Sequence, residues 1–450
     1  MSEPTITTTS SERIPGVIIV GAGIGGLLLG TLLERLGYPY HIFERATELR
    51  SLGSAMTLSA TVLPVFEQLG LLDELEKISY PCYSHDFYTL DRELFSSIKL
   101  DDRKKFTGYS DIIFCRPQLH ELLRKQVPEY KISLGKRVLQ TEEIDEKVLI
   151  HCADGTAWEG DILVGADGAY SGVRQSLYKR LEEQGIGLPK ADSENFSVTN
   201  LCMVGVAEPK DPEKYPQLKD EFSHFSSIFG GKGVCGVVNV PGQRVCWYLY
   251  QQLTEAEAKS QLFRSSEWGP ESIDSMINEF ADIPCPWGGT MGDMIQATPR
   301  NLISKAFLEE KVFQTWFHGR TVLLGDGAVN AMHDAVVLAN CIYNMEDNSS
   351  KSITTAFQEY YRQRYSRALD AFQRSSTWSK ISYGQTWKER LLRQVMMNYV
   401  PYWVYKWMDA KVFAYCPQIA WLPLTPARGS VVMLPQECKR KDDNENVVVV

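Results

Sequence analysis

Several features that define common functional classes are missing from this 450-residue chain. Its ten cysteines form no CxxC pair, and its seven histidines show no metal-ligand spacing with cysteine or carboxylate, so we expect no metal site. Lysine and arginine form no cluster, and the net charge of -9 argues against a nucleic-acid partner. The sequence thus predicts neither a metalloprotein nor a nucleic-acid-binding protein.

The beginning of the chain carries no targeting signal that we recognise. Residues 1–11 are polar and contain no signal-type apolar core. Together with the scattered cysteines, this indicates reduced thiols in a cytoplasmic, cytosol-facing compartment. A composition of 44% hydrophobic and 23% charged residues is typical of a globular protein, and the length suffices for two domains.

A glycine-rich sequence, GAGIGG, occupies residues 21–26, between the apolar run 17–20 and a helix-like stretch that ends near residue 36. A strand, a tight turn and a helix in this order are typical of dinucleotide binding. Gly21 permits the turn, Gly23 lets the backbone approach a pyrophosphate, and Gly26 allows close contact between helix and strand. The helix N-terminus would offer N–H groups to the anion.

An acidic residue follows where a dinucleotide needs one. A second predicted strand, residues 40–43, ends at Glu44, eighteen positions after Gly26. A carboxylate there accepts hydrogen bonds from an adenosine ribose, whereas a ribose 2′-phosphate would meet an unpaired negative charge. This motif alone fits FAD and NAD equally.

Two further glycine-containing signatures favour FAD. GADG, residues 165–168, follows an apolar strand and precedes Ser171 and Arg174, and Gly325-Asp326 follows a second buried strand pattern. A plain NAD dehydrogenase does not require a second strand-turn-helix near its nucleotide. Each signature is weak alone, but all three in this order predict one pocket for a dinucleotide that stays bound.

With these residues the chain resembles the class A flavoprotein monooxygenases, which include p-hydroxybenzoate hydroxylase, and within them the fungal FAD-dependent monooxygenases of secondary metabolism. The resemblance covers residues 14–345. It implies that Arg116 contacts the ribityl-phosphate region, that Gly53 lies in a loop passing the cofactor, and that Asp326 binds the ribityl chain. It also implies a role for Asp167 in binding both FAD and NAD(P)H.

The implied reaction uses FAD as the cofactor and NAD(P)H as a transient co-substrate. NAD(P)H would reduce the flavin, O2 would be captured as a flavin hydroperoxide, and one oxygen atom would pass to an organic substrate. The cofactor then performs the difficult step, so no catalytic side chain is required. No second Rossmann-type unit is found, because residues 230–233 lack the acid and the helix that would form one.

The predicted fold class is α/β, with a Rossmann-type FAD-binding domain interleaved with a mostly β substrate domain and followed by a C-terminal helical region. The predicted segments are a disordered N-terminus, 1–13; the FAD-binding domain, 14–80, 108–190 and 300–345; the substrate domain, 81–107 and 191–299; the helical region, 346–436; and a disordered tail, 437–450. Helices are predicted at 63–75, 118–125, 329–345 and 353–372.

Aromatic residues of the predicted substrate domain favour a bulky, mostly apolar substrate, such as a polyketide- or terpenoid-like metabolite. They alternate with other residues in strands at 197–206, 233–240 and 244–250 or lie just before them, and no charged pair that would select an ionic substrate accompanies them. The residues that could line an apolar pocket are Phe222, Phe225, Phe229, Trp247, Tyr248 and Tyr250.

The sequence departs from the resemblance after Asp326, where the family has a loop of about ten residues before a helix that points at the flavin. Here Gly327 and Ala328 follow at once. Because an extended residue spans at most ~3.5 Å, about ten residues correspond to roughly 35 Å of chain. Two accounts remain open. In the first, the chain comes from a shortened gene model or splice form and is damaged, which the missing length favours. In the second, a compact loop still lets Ala328 donate N–H groups to the flavin.

Two alternatives to oxygen insertion also remain open. The chain fits a FAD-dependent oxidoreductase that inserts no oxygen, and the short loop fits a catalytically impaired flavin-fold protein that binds a metabolite or a partner.

The segment 395–424 is unusually aromatic but is interrupted by Lys406, Asp409 and Lys411, so it is not expected to span a membrane. Tryptophan and tyrosine beside lysine suit peripheral membrane contact, and plain packing is the other reading.

Overall fold

The computed structural model describes residues 12–13, 16–49, 53–194, 197–209, 212–230, 233–253, 270–325, 327–384 and 386–437. It shows the predicted mixed α/β architecture. The strands are β1 Glu12–Arg13, β2 Val17–Val20, β3 Tyr40–Phe43, β4 Ala55–Leu58, β5 Tyr80–Tyr88, β6 Leu94–Lys99, β7 Ile112–Cys115, β8 Ile132–Ser133, β9 Val138–Ile144, β10 Lys147–Cys152, β11 Ala157–Gly160, β12 Ile162–Gly165, β13 Ser197–Ala207, β14 Ser223–Gly230, β15 Gly233–Val240, β16 Arg244–Gln252, β17 Ser304–Glu310, β18 Phe317–His318 and β19 Thr321–Leu323.

Helices lie between the strands along the chain and form the C-terminal region. Within the described ranges they are α1 Ile24–Leu36, α2 Leu63–Gln68, α3 Leu72–Lys77, α4 Arg103–Thr107, α5 Arg116–Arg124, α6 Gly172–Glu183, α7 Lys190–Ser193, α8 Pro270–Phe280, α9 Met291–Gln296, α10 Ala328–Tyr343, α11 Ser350–Tyr383, α12 Trp387–Tyr399 and α13 Tyr402–Phe413.

The six-stranded sheet has the order β18-β19-β12-β2-β3-β8 and is parallel except for β18. Strands β2 and β12 are buried along their whole length, as continuous apolar runs predict for a parallel sheet covered on both faces. Helices α1 and α10 pack on one face, and α6 on the other. The carboxyl ends of β2, β12 and β19 therefore meet at one edge of the sheet.

A second, nine-stranded sheet forms beside the first. Strands β13 to β17 pair mostly antiparallel, while β14 pairs parallel with β5, and β7 and β4 extend the far edge. The predicted 79–105 strand segment is present as β5 and β6. One face packs against α8 and α9. Three strands that the sequence assigned to FAD-binding segments, β4, β7 and β17, belong to this sheet, and the domain boundaries stay a prediction.

A four-stranded sheet, β1-β11-β10-β9, packs against α6. Its edge strand, β1, pairs Glu12 and Arg13 with Trp158 and Glu159. The prediction of a disordered N-terminus is therefore wrong for these two residues, and residues 1–11 lie outside the described part of the chain, as do residues 438–450 of the predicted tail.

The predicted helix 63–75 is wrong as a single element. It is interrupted between α2 and α3 at Gly70, whose φ of +71° lies in the left-handed region that ends a helix. The apolar spacing that suggested one helix survives because both short helices face the same core. Smaller differences concern helix ends, since α5 begins at Arg116, α10 spans 328–343, and α11 extends over 34 residues.

Candidate functional site

A cavity of about 1640 Å³ lies at the carboxyl ends of β2, β12 and β19. This is the edge where open parallel sheets bind nucleotides. Pockets for single small ligands measure roughly 300–1,000 Å³, so the volume accommodates a dinucleotide together with a second molecule. The predicted residues on its wall are Gly21, Gly23, Glu44, Arg116, Asp167 and Ala328.

The first glycine turn has the close approaches that the sequence predicts. Gly21 has a φ of +110°, and a Cβ atom there would lie 2.4 Å from the carbonyl oxygen of Ala166. At Gly26 an added Cβ would lie 2.0 Å from the oxygen of Gly21, so neither position accepts a side chain. At Gly23 it would meet no heavy atom within 4 Å, because this position opens into the cavity.

Glu44 holds the first turn against the end of β3. Its Oε2 accepts a hydrogen bond from the Ala22 N–H at 2.8 Å, and its Oε1 accepts one from the Ala46 N–H at 2.9 Å. A carboxylate oxygen has further lone-pair sites, so both oxygens can also accept from hydroxyl groups on the cavity side. His120 supports the same turn from α5, with Nε2 at 2.8 Å from the Ala22 carbonyl oxygen.

The second turn is organised by Asp167 at the N-terminus of α6. Its Oδ2 accepts hydrogen bonds from the N–H groups of Gly172 at 2.7 Å and Val173 at 3.3 Å. Ser171 caps the same helix by accepting from the Arg174 N–H at 2.9 Å. Oδ1 of Asp167 is buried without a hydrogen-bond partner among the described residues, and burial raises the pKa of this carboxyl group. A buried polar atom without a partner is unusual, and a polar group of a ligand would satisfy it.

Arg116 is the first residue of α5 and lines the cavity. Gly53 has a φ of +124°, and a Cβ atom there would lie 3.3 Å from Cδ of Arg116. The two predicted residues are therefore neighbours, and the glycine lets the loop pass directly over the arginine side chain. Their roles toward a cofactor stay a prediction.

The third signature forms a compact connection between β19 and α10. Gly325, Gly327 and Ala328 line the cavity, and α10 begins at Ala328, directly after the left-handed Gly327 with φ of +92°. Asp326 lies outside the described residues. The short loop thus brings the start of α10 to the cavity wall, as the compact-loop account requires.

A buried ion pair that the sequence did not single out fixes this connection. Asp334 of α10 accepts a hydrogen bond from the Gly325 N–H at 2.7 Å through Oδ2, and its Oδ1 lies 2.5 Å from Nε of Arg364 in α11. Their side chains are 0% and 1% exposed. Arg364 also donates to the Tyr415 hydroxyl at 3.2 Å. The sequence offered one signal for this ion pair, because each of the two helices has a charged residue on an otherwise apolar face. The two residues are 30 positions apart, so the sequence did not show that they pair.

These residues fit FAD. The open position at Gly23 exposes backbone to the cavity, Oδ1 of Asp167 lacks a partner, and the described residues place no capping side chain on α1 or α10. Helix N-termini of this kind bind phosphate and other electron-rich groups. The site is therefore suited to a pyrophosphate at the start of α1 and to an electron-rich ring edge at the start of α10.

Four of the six predicted pocket aromatics share one face of the nine-stranded sheet, which we call the inner face, but none of the six lines the cavity. Phe225 stacks on His85 with ring centroids 3.7 Å apart, and it makes an edge contact with Tyr248. Tyr248 and His85 are both hydrogen-bonded to Ser227. Burial lowers the pKa of His85 to about 3, so this histidine is neutral. Ala306, which lies across from Cys202 on this face, lines the cavity.

Trp247 does not belong to that face, and its predicted pocket role is wrong. Its side chain is fully buried in the core formed with α9, and its Nε1 donates to Thr298 Oγ1 at 2.8 Å. Tyr248, one residue later, points to the other face because side chains alternate along a strand. The alternation along the strand could be predicted from the sequence, but the face on which each side chain lies could not.

Fold and cavity together define a nucleotide-binding flavoprotein architecture, and the comparisons identify the family. The FAD binding domain family matches residues 15–212. The chain is 30% identical over 382 residues to the FAD-dependent monooxygenase paxM of Penicillium paxilli, covering 80% of this chain and 77% of that protein. It is 30% identical over 386 residues to ptmM of Penicillium ochrochloron, covering 80% and 87%. The chain therefore belongs to the FAD-dependent monooxygenases, and FAD is its cofactor.

Solved structures share the fold. HpxO of Klebsiella pneumoniae, complexed with FAD, superposes with a TM-score of 0.72 at 19% identity and covers 90% of this chain and 99% of its own. The tetracycline destructase Tet(51) has a TM-score of 0.63 at 14% identity and covers 95% and 100%. At these identities the likeness concerns architecture, and it confirms the predicted α/β fold class.

Proposed function

We propose that this enzyme uses NAD(P)H and O2 to hydroxylate or epoxidise a bulky apolar metabolite, polyketide- or terpenoid-like, with FAD held in the cavity described above. The observation that carries the proposal is the convergence of residues from three distant segments on that one cavity. Gly23 and Glu44, Asp167, and Ala328 all line it. A dinucleotide bound there would contact all three signatures at once.

Bound FAD supplies the redox chemistry, taking a hydride equivalent from NAD(P)H and activating O2 for transfer of one oxygen atom. The residues of this chain bind and orient it. The N–H groups at the start of α1 would bind the pyrophosphate, Glu44 would accept hydrogen bonds from the adenosine ribose, and Arg116 would offer a positive charge to the ribityl phosphate. At the opposite end, the start of α10 directs its positive dipole toward the ring system.

Exclusion of water is the second task of the protein. Helix α11 lines the cavity with Ala368, Ala371, Phe372, Ser375 and Ser379, of which the first three are apolar. Apolar walls keep the reacting region dry, which favours oxygen transfer over unproductive release of reduced oxygen. No side chain has to act as an acid or base in this scheme.

The inner sheet face supports the choice of an apolar substrate. Phe225, Tyr248 and Tyr250 lie on it with Ala306, which reaches the cavity wall. Such a surface offers large apolar contact area with a few hydroxyl groups to orient a substrate. A charged substrate would find no opposite charge among these residues.

NAD(P)H is proposed as a visiting co-substrate rather than a resident one. The described residues contain one sheet edge with a dinucleotide turn, and its cavity is already assigned to FAD. Transient binding at the outer part of the same cavity would need no second Rossmann domain. NADH and NADPH are equal candidates in this proposal.

The proposal is tested by turnover under labelled oxygen. Purified enzyme with FAD, NADPH or NADH, and a panel of terpenoid and polyketide compounds should oxidise the nucleotide faster with a true substrate, and ¹⁸O from ¹⁸O2 should appear in the product. Product without the label supports the oxidoreductase that inserts no oxygen. Tight FAD binding with no nucleotide oxidation for any compound supports an impaired binding protein, which the short connection before α10 motivates.

The loop itself supplies a further discriminating experiment. A family-type loop of about ten residues is inserted between Asp326 and Gly327, and an inserted Gly-Ser linker of equal length is the matched control. If the native connection is functional, neither insertion raises flavin content or the yield of product per nucleotide oxidised. A rise with the family-type loop alone would show that the native chain is damaged.

A further inference from the structure

The C-terminal helices α12 and α13 present a large apolar surface to solvent. Trp387, Tyr399, Trp403 and Trp407 are 64%, 71%, 70% and 56% exposed. Leu391, Leu392, Val395, Tyr402 and Met408 are also exposed. We call these nine residues the aromatic patch. Soluble domains rarely expose contiguous apolar surface of this kind, and tryptophan is its least common component.

The spacing of the apolar residues in α12 shows that they form one face of the helix. Trp387, Leu391, Val395 and Tyr399 recur every four residues, which places them on one side of the helix. No side chain of α12 is buried. A helix with an apolar stripe and no buried residue requires a partner surface outside the described chain.

The two helices that carry the patch have a net positive charge in an otherwise acidic protein, and one acid, Asp102, lies beside the patch and accepts a hydrogen bond from the Tyr402 hydroxyl at 3.1 Å. Residues 387–413 contain five basic and two acidic residues, a net charge of +3, whereas the whole chain carries -9. Lys388, Lys406 and Lys411 are exposed beside the tryptophans. The ammonium group of Lys411 lies 3.5 Å from the centre of the Trp407 ring, so charge and aromatic surface are adjacent. This combination is complementary to an anionic surface with an apolar interior.

A small groove opens within the same surface. It measures about 290 Å³ and lies between α13 and residues 430–432. Its walls combine Lys406 and Lys411 with Phe106, Trp407 and Val432. Apolar walls with two ammonium groups at the rim match the headgroup and upper acyl chain of an anionic phospholipid.

The inner side of the helix pair is tied to the substrate sheet. The Arg393 guanidinium lies 4.5 Å from the centre of the Phe229 ring in β14, and Ser96 Oγ of β6 donates to the Met397 carbonyl oxygen at 2.8 Å. On α13, Arg103 holds Asp409 through a hydrogen bond of 3.0 Å. The aromatic patch is therefore fixed in orientation, on the outer side of a helix pair that contacts, through α12, the sheet face carrying Phe229.

We propose that α12 and α13 dock this enzyme reversibly onto an anionic lipid surface. The helices would lie in the plane of the headgroups, with tryptophan and tyrosine at the apolar boundary and lysine at the phosphates. None of the described helices is long and apolar enough to cross a bilayer, so the docking is peripheral. The docking stands independently of the reaction proposed above, since it requires neither FAD nor turnover.

Vesicle co-sedimentation tests the docking directly. Wild-type enzyme should bind vesicles of phosphatidylcholine with 30% phosphatidylserine, and binding should fall when the salt concentration rises, because screening weakens charge attraction. Trp403→Ser/Trp407→Ser should bind at least tenfold more weakly. The matched control, Tyr130→Ser/Ile186→Ser, removes side chains that are 78% and 57% exposed elsewhere and should bind like wild type.

A charge variant separates lipid binding from adhesion of an apolar surface. Lys388→Glu/Lys406→Glu should lose at least tenfold in binding to the anionic vesicles, because each basic residue near such a surface contributes about fivefold. All variants should keep wild-type flavin content and thermal stability, since the substituted side chains are exposed.

Three results would overturn the docking. One is wild-type enzyme that does not bind the anionic vesicles. Another is a Trp403→Ser/Trp407→Ser variant that binds them like wild type. The third is a concentration-dependent dimer, measured by sedimentation velocity, that the tryptophan variant abolishes while no protein binds vesicles, which would assign the patch to a second copy of the chain.

Discussion

At Gly23 an added Cβ atom would enter open space, whereas at Gly26 it would lie 2.0 Å from a backbone oxygen. Cofactor binding can therefore be separated from folding at this residue. Gly23 has an extended backbone with φ of -72°, which any residue adopts. We expect Gly23→Val to fold like wild type and to bind FAD at least 100-fold more weakly, measured by equilibrium dialysis, because the side chain occupies the space of the pyrophosphate.

Gly26→Val is the matched comparison for that variant. It should yield little folded protein, since the clash is with backbone and no flexible side chain can move away. Circular dichroism and thermal unfolding distinguish the two variants. A Gly23→Val enzyme that retains full FAD affinity would show that the pyrophosphate lies elsewhere.

A buried histidine makes stability depend on pH. Burial, with a smaller contribution from the positive charge of Arg364, lowers the pKa of His333 to about 3. Its Nε2 lies 2.9 Å from the Thr61 carbonyl oxygen, to which the neutral ring donates. In the unfolded chain the histidine binds a proton below about pH 6.5. In this pH range the histidine therefore binds a proton in the unfolded state but not in the folded state. The free energy of unfolding falls as pH drops from about 6.5 toward 3.

The effect is measured by urea unfolding of wild type and His333→Gln at pH 7 and pH 5. Glutamine keeps a donor for Thr61 but does not titrate. We expect the difference in unfolding free energy between the two pH values to be smaller in the variant by about 1.4 kcal/mol for each pH unit below 6.5. Equal pH dependence in both proteins would show that His333 is protonated or accessible in the folded state.

Local residues were predictable from the sequence, and distant pairings were not. Gly21, Gly23, Gly26 and Glu44 follow from the order strand, turn, helix and strand within 28 residues, and their geometry agrees with that order. The ion pair between Asp334 and its partner in α11 was not predicted, because no local pattern specifies which buried acid meets which buried base. Their pairing depends on how two helices cross, which is a property of the packed structure.

At the scale of elements, the ion pair between α10 and α11 carries a clear prediction. Arg364→Met should lower the free energy of unfolding by about 3–5 kcal/mol, since it leaves the carboxylate of Asp334 buried without its partner. The same change should weaken FAD binding, because Asp334 also holds Gly325 on the cavity wall. Urea unfolding and flavin titration provide the two measurements.

The double variant Asp334→Asn/Arg364→Met is the control. It removes both charges while the asparagine can still accept from Gly325, so it should be more stable than Arg364→Met alone. A loss below about 1 kcal/mol for Arg364→Met would mean that water or another group reaches the carboxylate.

Helix and strand positions were predicted better than helix ends and breaks. Apolar periodicity located α10 and α11, but it continued across Gly70, where the chain changes direction between α2 and α3. Apolar periodicity indicates which side of a helix faces the core. It does not reveal a turn after which the next helix faces the same core. The first residue of α5 was missed for a related reason, since the predicted boundary was placed after Pro117 and the helix begins one residue before it.

For the whole molecule, the class of fold could be predicted and the composition of its sheets could not. The three signatures located β2, β12 and β19 of the six-stranded sheet, because each signature ends one of these strands or follows it closely. The nine-stranded sheet draws β4 to β7 and β13 to β17 from segments up to about 250 residues apart. Pairing over such separations depends on long-range packing. Individual strands could therefore be predicted from the sequence, but the strands with which they pair could not.

The central claim is that the three distant glycine turns form one site for a permanently bound FAD, and the flavin content of the purified enzyme tests it most directly. Protein purified and then incubated with FAD should remain yellow after gel filtration and release one FAD per chain on denaturation. Gly23→Val should release almost none under the same conditions. A colourless wild-type protein that is folded and retains no added FAD would contradict the account.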